Sequence, residues 1–218
     1  NSGWEIELNY TPVETNDVKW TINANATFLK NEIVELHPDL KGEMISGSQI
    51  YREGESVYQF YMVEYAGVDP KTGLAQYWAK PKDKDGKPIK DGEEFLTDDW
   101  SDAYNTNRKG TGDIMADVYG GIGTTVEFYG FDFSVQCAYQ FGGKMYDNGY
   151  ASLMHGGTSS DAGQNWHKDI LNAWSPENKN TNIPRLDAID SYTNSLSTRF
   201  ITSSDYFSIN NITLGYTL

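Results

Sequence analysis

The sequence holds one cysteine, Cys137, so no internal disulfide can form. Histidine is nearly as scarce. His37, His155 and His167 lie far apart, none is four residues from another, and no Cys/His set has zinc-ligand spacing. Basic residues are outnumbered, 17 Lys and Arg against 31 Asp and Glu, for a formal charge of −14. Acidic surfaces repel phosphates and no basic stripe interrupts this one, which excludes a general role on nucleic acid. No run of 18 apolar residues occurs, so no transmembrane helix is encoded. A β-barrel is untouched by that absence, because its strands need only about 9–11 residues each. The opening stretch "NSGWEIELNY" has no Met, no basic n-region and no signal-peptide core, and already reads as a strand. An internal piece of a longer protein is expected.

What is present is glycine (21), tyrosine (15), a 14% aromatic content, and alternation. Aromatic and β-branched residues suit pleated surfaces, while glycine supplies turns. In "WEIELNY", Trp4, Ile6, Leu8 and Tyr10 share one face and Glu5, Glu7 and Asn9 the other. "VKWTINANATF" repeats the pattern, with Val18, Trp20, Ile22, Ala24, Ala26 and Phe28 opposed to Lys19, Thr21, Asn23, Asn25 and Thr27. "GIGTTVEFYG" and "FDFSVQCAYQFGG" form a second alternating pair around Tyr129-Gly130, and "DYFSINNITLGYTL" a fifth segment. Period-two patterning of this length predicts strands at about 4–11, 18–30, 120–129, 131–142 and 205–218.

Two architectures satisfy this pattern. A soluble sandwich buries the apolar face against a second sheet; an outer-membrane barrel turns it to lipid and collects aromatics near the strand ends. Here Trp4, Tyr10, Phe28, Phe131, Tyr139, Phe141 and Tyr216 lie near strand ends, and the opposite faces carry Asn, Thr, Gln and Glu, as a wet lumen would. Connections also differ in length. Thr11–Asp17 and Tyr129–Gly130 are short, whereas 31–119 and 143–204 are long. Short turns at one end and long loops at the other is barrel asymmetry, with the long loops extracellular.

The long regions have features of their own. "GLAQYWAKPKDKDGKPI" predicts a hairpin with a turn at Asp85-Gly86. In "NWHKDILNAWSPENKN", Trp166, Ile170 and Trp174 recur every four residues before Pro176, which predicts a short amphipathic helix. The "EYAGVDPKTG" stretch, residues 64–73, reads as a strand running into a tight turn set by Pro70, Asp69, Thr72 and Gly73.

Evidence for covalent chemistry is thin, and the chain is not expected to be an enzyme. "DKDGKPIKDGEE" resembles a calcium loop, but with Gly86 as its glycine the first ligand position falls on Pro81 and the twelfth on Gly92. No cofactor is expected, and a surface-loop calcium ion is the one candidate metal. Glu93-Glu94, Asp98-Asp99 and Asp102 read as a solvated acidic face rather than an acid–base pair. Gly121–Thr125 lacks the lysine of a phosphate loop. The loop aromatics Tyr77, Trp78, Trp100, Trp166, His167 and Trp174 are the candidate substrate-binding residues, since flat apolar faces beside polar groups suit sugar rings or peptide side chains.

"YREGESVYQFYMVEYAGVDPKTGLAQYW", "YQFGGKMYD", "NWHKDILNAWSPENKN", "IPR" and "STRFITSSDYFSINNITLGYTL", in that order, resemble landmarks of the SusC/RagA family of TonB-linked outer-membrane transporters. The resemblance implies an all-β fold, a segment of a 22-stranded antiparallel transmembrane barrel from the later part of the chain, with the plug domain absent. It further implies a SusD-like surface lipoprotein and the TonB complex as partners, outer-membrane lipid around the strands, and import of oligosaccharides or oligopeptides. A Bacteroidetes-like Gram-negative outer membrane is the implied location. The rival expectations are a soluble secreted β-sandwich that binds carbohydrate, and a glycoside hydrolase fragment using two loop carboxylates. A sandwich would bury Trp20, Ile22, Val126, Phe133 and Val135.

Overall fold

The computed structural model describes residues 1–218. Strands β1 (Ser2–Glu14) and β2 (Val18–Lys30) form a hairpin. The first insertion carries β3 (Glu43–Ser46), β4 (Gln49–Arg52), β5 (Gln59–Val63), β6 (Tyr65–Val68), β7 (Ala75–Ala79) and β8 (Phe95–Thr97). Helix α1 (Trp100–Thr106) and β9 (Arg108–Asp113) complete it. Strands β10 (Val118–Phe128) and β11 (Phe131–Phe141) make the second long hairpin. The second insertion holds β12 (Lys144–Tyr146), α2 (Asn148–Leu153) and β13 (Ile201–Ser203), and β14 (Tyr206–Tyr216) returns to the main sheet.

The five long strands lie side by side in the order β1-β2-β10-β11-β14, every neighbour antiparallel. Register places Leu8, Ala24, Ile122, Cys137 and Ile209 in one row and Tyr10, Ile22, Thr124, Val135 and Ile212 in the next. On the reverse face Asn9, Asn23, Gly123, Gln136 and Asn211 align. The apolar face is bare: Leu8 is 55% exposed, Ile122 46% and Leu214 69%. None of Trp20, Ile22, Val126, Phe133 and Val135 is buried, so the second sheet a sandwich requires is not there.

Two polar groups on that face are closed off within the sheet. The Trp20 indole N–H donates to Thr124 Oγ1 at 2.8 Å, and the Tyr139 hydroxyl reaches over Gly120 to the Asn25 carbonyl at 2.9 Å. A side chain at Gly120 would collide with that hydroxyl and with Asn25, so the glycine makes room for the tyrosine. A surface meeting hydrocarbon needs this closure, because no water is there to accept the bonds.

Both tight turns sit at one end. Tyr129 (φ 46°) and Gly130 (φ 86°) are both left-handed, as in a type I′ hairpin turn, and the Tyr129 N–H donates to Asp17 O of the neighbouring turn. The first turn is shorter than the seven residues expected at Thr11–Asp17. The ladder continues to Glu14 through a bulge between Tyr10 and Val13 that absorbs Pro12. A proline has no N–H to offer a ladder, and a bulge on an edge strand accommodates it. A second bulge leaves Asn210 unpaired, so Phe207 and Ile209 share the face of Ile212 and Leu214 despite the odd spacing.

The buried apolar side chains all lie in the insertions, which leave the sheet together at its other end. Val63, Ala75, Tyr77, Ala79 and Ala103 form one cluster, backed by Tyr65, Trp100 and Tyr104. Ala151, Met154 and Phe200 form another, backed by Tyr146, Tyr150, Ile170 and Ile183. The predicted helix over "NWHKDILNAW" is instead a 3-10 turn at Lys168–Asn172, opened by His167. Its three spaced apolar residues have different partners: Trp166 stacks on His155, Ile170 joins the second cluster, and Trp174 lies on Gly73. No common face exists to hold a longer helix.

Candidate functional site

The two insertions interlock into one lobe. Val63 bridges Ser197, and the Tyr65 N–H donates to Thr198 Oγ1 at 3.0 Å. The Tyr65 and Tyr77 hydroxyls donate to the carbonyls of Asn182 and Tyr192 at 3.0 and 2.8 Å, and the Trp100 indole donates to Leu196 O at 2.8 Å. Arg199 lies between the clusters, its guanidinium over Tyr65 and Phe200 at 5.5 and 4.9 Å, with Nη1 donating to Thr193 O. Burial lowers the Arg199 pKa, pushes Tyr65 up to about 12 and raises Tyr77 as well.

The "EYAGVDPKTG" corner is part of this seam. Asp69 accepts from the Lys71 N–H and the Thr72 hydroxyl, both at 2.9 Å, which holds its carboxyl below the ordinary range. Arg185 donates from its backbone to Gly73 O and from Nη1 to Thr72 O, while the Trp174 indole reaches Pro70 O. Gly73 has φ 77°, and a side chain there would overlap the Trp174 ring.

The six aromatic candidates do not converge. Tyr77 is 1% exposed and Trp100 half-buried in the same cluster, so both serve the lobe's own core. Trp78 is half-buried on the other side of β7, where it pairs with Leu96. Trp174 is half-buried in the corner. His167 caps the 3-10 turn through Nδ1 and meets Tyr150 edge-on at 4.8 Å. Trp166 is the most exposed of the insertion tryptophans, at 46%, the other three being half-buried.

A cleft of about 950 Å3 opens where the lobe joins the sheet, lined from β9, β12, β13 and the flanks of β10 and β11. None of the six aromatics lines it. Its charged residues are Glu64, Asp113, Asp117 and Asp205 against Lys109 and Lys144. Lys109 Nζ is committed to Glu64 at 2.7 Å and Glu94 at 2.9 Å, and Lys144 Nζ donates to Thr111 O at 2.9 Å. The Lys109 ammonium holds the Glu94 carboxyl low; burial opposes the Lys109 charge, yet its two carboxylate partners raise its pKa. Thr111 Oγ1 is buried without a partner. The lining is polar and carries more carboxylates than ammonium groups. The signal in the sequence was alternating polarity at Lys109, Thr111 and Asp113, in a stretch of the long region 31–119 where no strand was expected.

Three of the loop carboxylates hold structure. Asp99 caps α1 through the Ser101 and Asp102 N–H groups, Asp102 pairs with Lys82 at 2.5 Å, and Asp83 closes the hairpin tip by accepting from Asp85 and Lys87.

No family model matches the chain. TonB-dependent receptor P3 of Formosa agariphila is 28% identical over all of the chain. TonB-dependent receptor SusC of Bacteroides thetaiotaomicron is 27% identical over 99% of it. Among solved structures, the RagAB peptide transporter superposes at a TM-score of 0.78 with 25% identity, covering 98% of the chain and 22% of that structure's chain. The chain is SusC/RagA-like from end to end. It spans about a fifth of the length of these relatives, 22% of P3 and 20% of SusC. The SusC/RagA-like sheet is therefore a segment of an outer-membrane β-barrel, its apolar face the lipid face and the interlocked lobe its long-loop end. The relatives are receptors and transporters, not enzymes.

Proposed function

We propose that the chain is part of a TonB-dependent importer that takes up oligosaccharides or oligopeptides with a SusD-like lipoprotein, in a Bacteroidetes-like outer membrane. The observation that carries this reading is the likeness to RagAB over 98% of the chain, which includes the insertions as well as the strands. The RagAB structure is that of a peptide transporter, which supports uptake of an oligomeric solute as the role of a chain of this fold. Substrate is captured between the lobe and the lipoprotein, and the polar cleft at the lobe's base supplies hydrogen bonds on the way to the lumen. TonB drives release by acting on a plug that the full-length receptor supplies. The rims of the lobe that carry Trp78, Trp166, His167 and Trp174 are the surfaces offered to substrate or lipoprotein.

The test is affinity purification of the full-length receptor from its own membrane, with mass spectrometry of whatever accompanies it. A co-purifying lipoprotein carrying an oligosaccharide or oligopeptide is expected. Recovery of the intact receptor from the soluble fraction without detergent, or glycan hydrolysis that disappears on replacing a loop carboxylate, would overturn the reading.

A further inference from the structure

One tryptophan in the lobe is held rigidly while nearly half of its surface stays in solvent. Trp166 is 46% exposed, yet its indole stacks on the His155 imidazole at 4.9 Å with 26° between planes, and its N–H donates to His155 O at 3.0 Å. His155 is itself buried, 1% exposed, with Nδ1 accepting from the Gly157 N–H at 3.2 Å and Nε2 3.3 Å from Asn165 O. Gly157 (φ 84°) runs beneath the ring, where a Cβ would come within 3.2 Å of Trp166 Cζ2. The next residue is tied down as well, the His167 N–H donating to Leu153 O at 2.9 Å. Ordering a large side chain costs entropy, and here the His155 stack and the indole hydrogen bond meet that cost before any ligand arrives, while part of the ring stays open to solvent. Preorganisation of this kind lowers the cost of binding something to the free face.

The geometry points to Trp166 as a stacking platform for a neutral carbohydrate ring, with His155 as its buttress. The neighbours define the class of ligand. Gln164 and Asn165 are exposed and their carboxamides have no side-chain partner, so each offers a donor and an acceptor, the pattern that vicinal hydroxyls require. Residues 162–167 form no strand, so there is no sheet edge to read a peptide backbone. An aromatic face beside uncharged amides suits a sugar's apolar C–H face and its hydroxyl rim. The platform deepens the import reading by naming the ligand of one surface, and rests on it only for that surface's place in uptake.

The experiment is 19F NMR of the full-length receptor labelled with 5-fluorotryptophan, its Trp166 signal assigned by the loss it suffers in Trp166→Phe. Probes are maltohexaose, cellohexaose and xylohexaose, against a proline- and aromatic-rich hexapeptide. We expect at least one hexasaccharide to shift the Trp166 signal and the peptide to leave it in place. Calorimetric affinity for that sugar should fall about tenfold in Trp166→Ala and less in Trp166→Phe, which keeps an aromatic face. A shift with the peptide alone, no shift with any probe, or unchanged affinity in both variants overturns the platform. The import reading fails separately, if deleting the receptor leaves uptake of the sugar intact while the Trp166 signal still responds.

Discussion

The sheet and the lobe solve opposite problems with the same residue types. The sheet turns Ile, Leu, Val and aromatic side chains outward and leaves Leu214 69% exposed; the lobe folds them inward until Val63 and Tyr77 are closed from solvent. In the sheet, order comes from a continuous backbone ladder and a matched register, with lipid as the solvent of the apolar face. In the lobe, strands of three to six residues cannot do this, and order comes from side chains that cross between two insertions. A substitution should therefore be felt in only one of the two regions. The largest effect is expected at Tyr77. Replacing it by Ala removes the largest fully buried side chain and strands the Tyr192 carbonyl, at a cost of about 3–5 kcal/mol. In the full-length receptor this should expose both insertions to protease while the barrel keeps its heat-modifiable gel mobility. Loss of both together would mean that lobe and sheet fold as one unit.

The converse is expected at Ile122, in the middle row of the lipid face. Ile122→Arg should cost about 2–4 kcal/mol in urea titrations of the receptor folded into vesicles, whereas Asn23→Arg on the lumen face should cost far less. Equal and small effects at both positions would show that the apolar face meets water. The seam comes next in size. Gly73→Ala forces a left-handed alanine against the Trp174 ring, worth about 1–3 kcal/mol, and should loosen the corner without touching the ladder. Proteolysis mapped by mass spectrometry should place the new cuts near residues 69–75 and 174–185.

How much of this could be read in advance follows the same division. Alternation made the long strands legible, because each residue's face is fixed by its parity. It failed where parity slips, at Pro12 and Asn210, since a bulge is a property of the pairing and not of the strand alone. In the lobe the residues that matter are far apart in sequence. Lys109 and Thr111 share the cleft with Thr202 and Asp205, and Tyr77 is completed by the Tyr192 carbonyl; nothing local announces either pairing. The four-residue spacing of Trp166, Ile170 and Trp174 misled for the same reason, each being claimed by a different partner. Aromatic content alone did not separate Tyr77, a core residue, from Trp166, an exposed one.

Acid gives the smallest but most selective contrast. Asp69 is held below the ordinary carboxylate range by the Lys71 N–H and the Thr72 hydroxyl, Glu94 by Lys109, and Asp187 by the Ile189 N–H and Arg185. A depressed folded-state pKa means that the unfolded chain binds the proton first. The stability these groups add is therefore complete above the ordinary carboxylate value, about 4, and is lost as pH falls through their lower values. All three lie in the insertions, and two of them in the seam between Asp69 and Arg185. As pH falls from about 4 to about 2, pepsin used at matched activity should cut the insertions progressively faster, with little change above about pH 4. The sheet's ladder is made of backbone groups that do not titrate, so its gel mobility should hold across the same range. Simultaneous loss of barrel and lobe on acidification would break the division between them, and Asp69→Asn should flatten part of the lobe's response if the corner is where it begins.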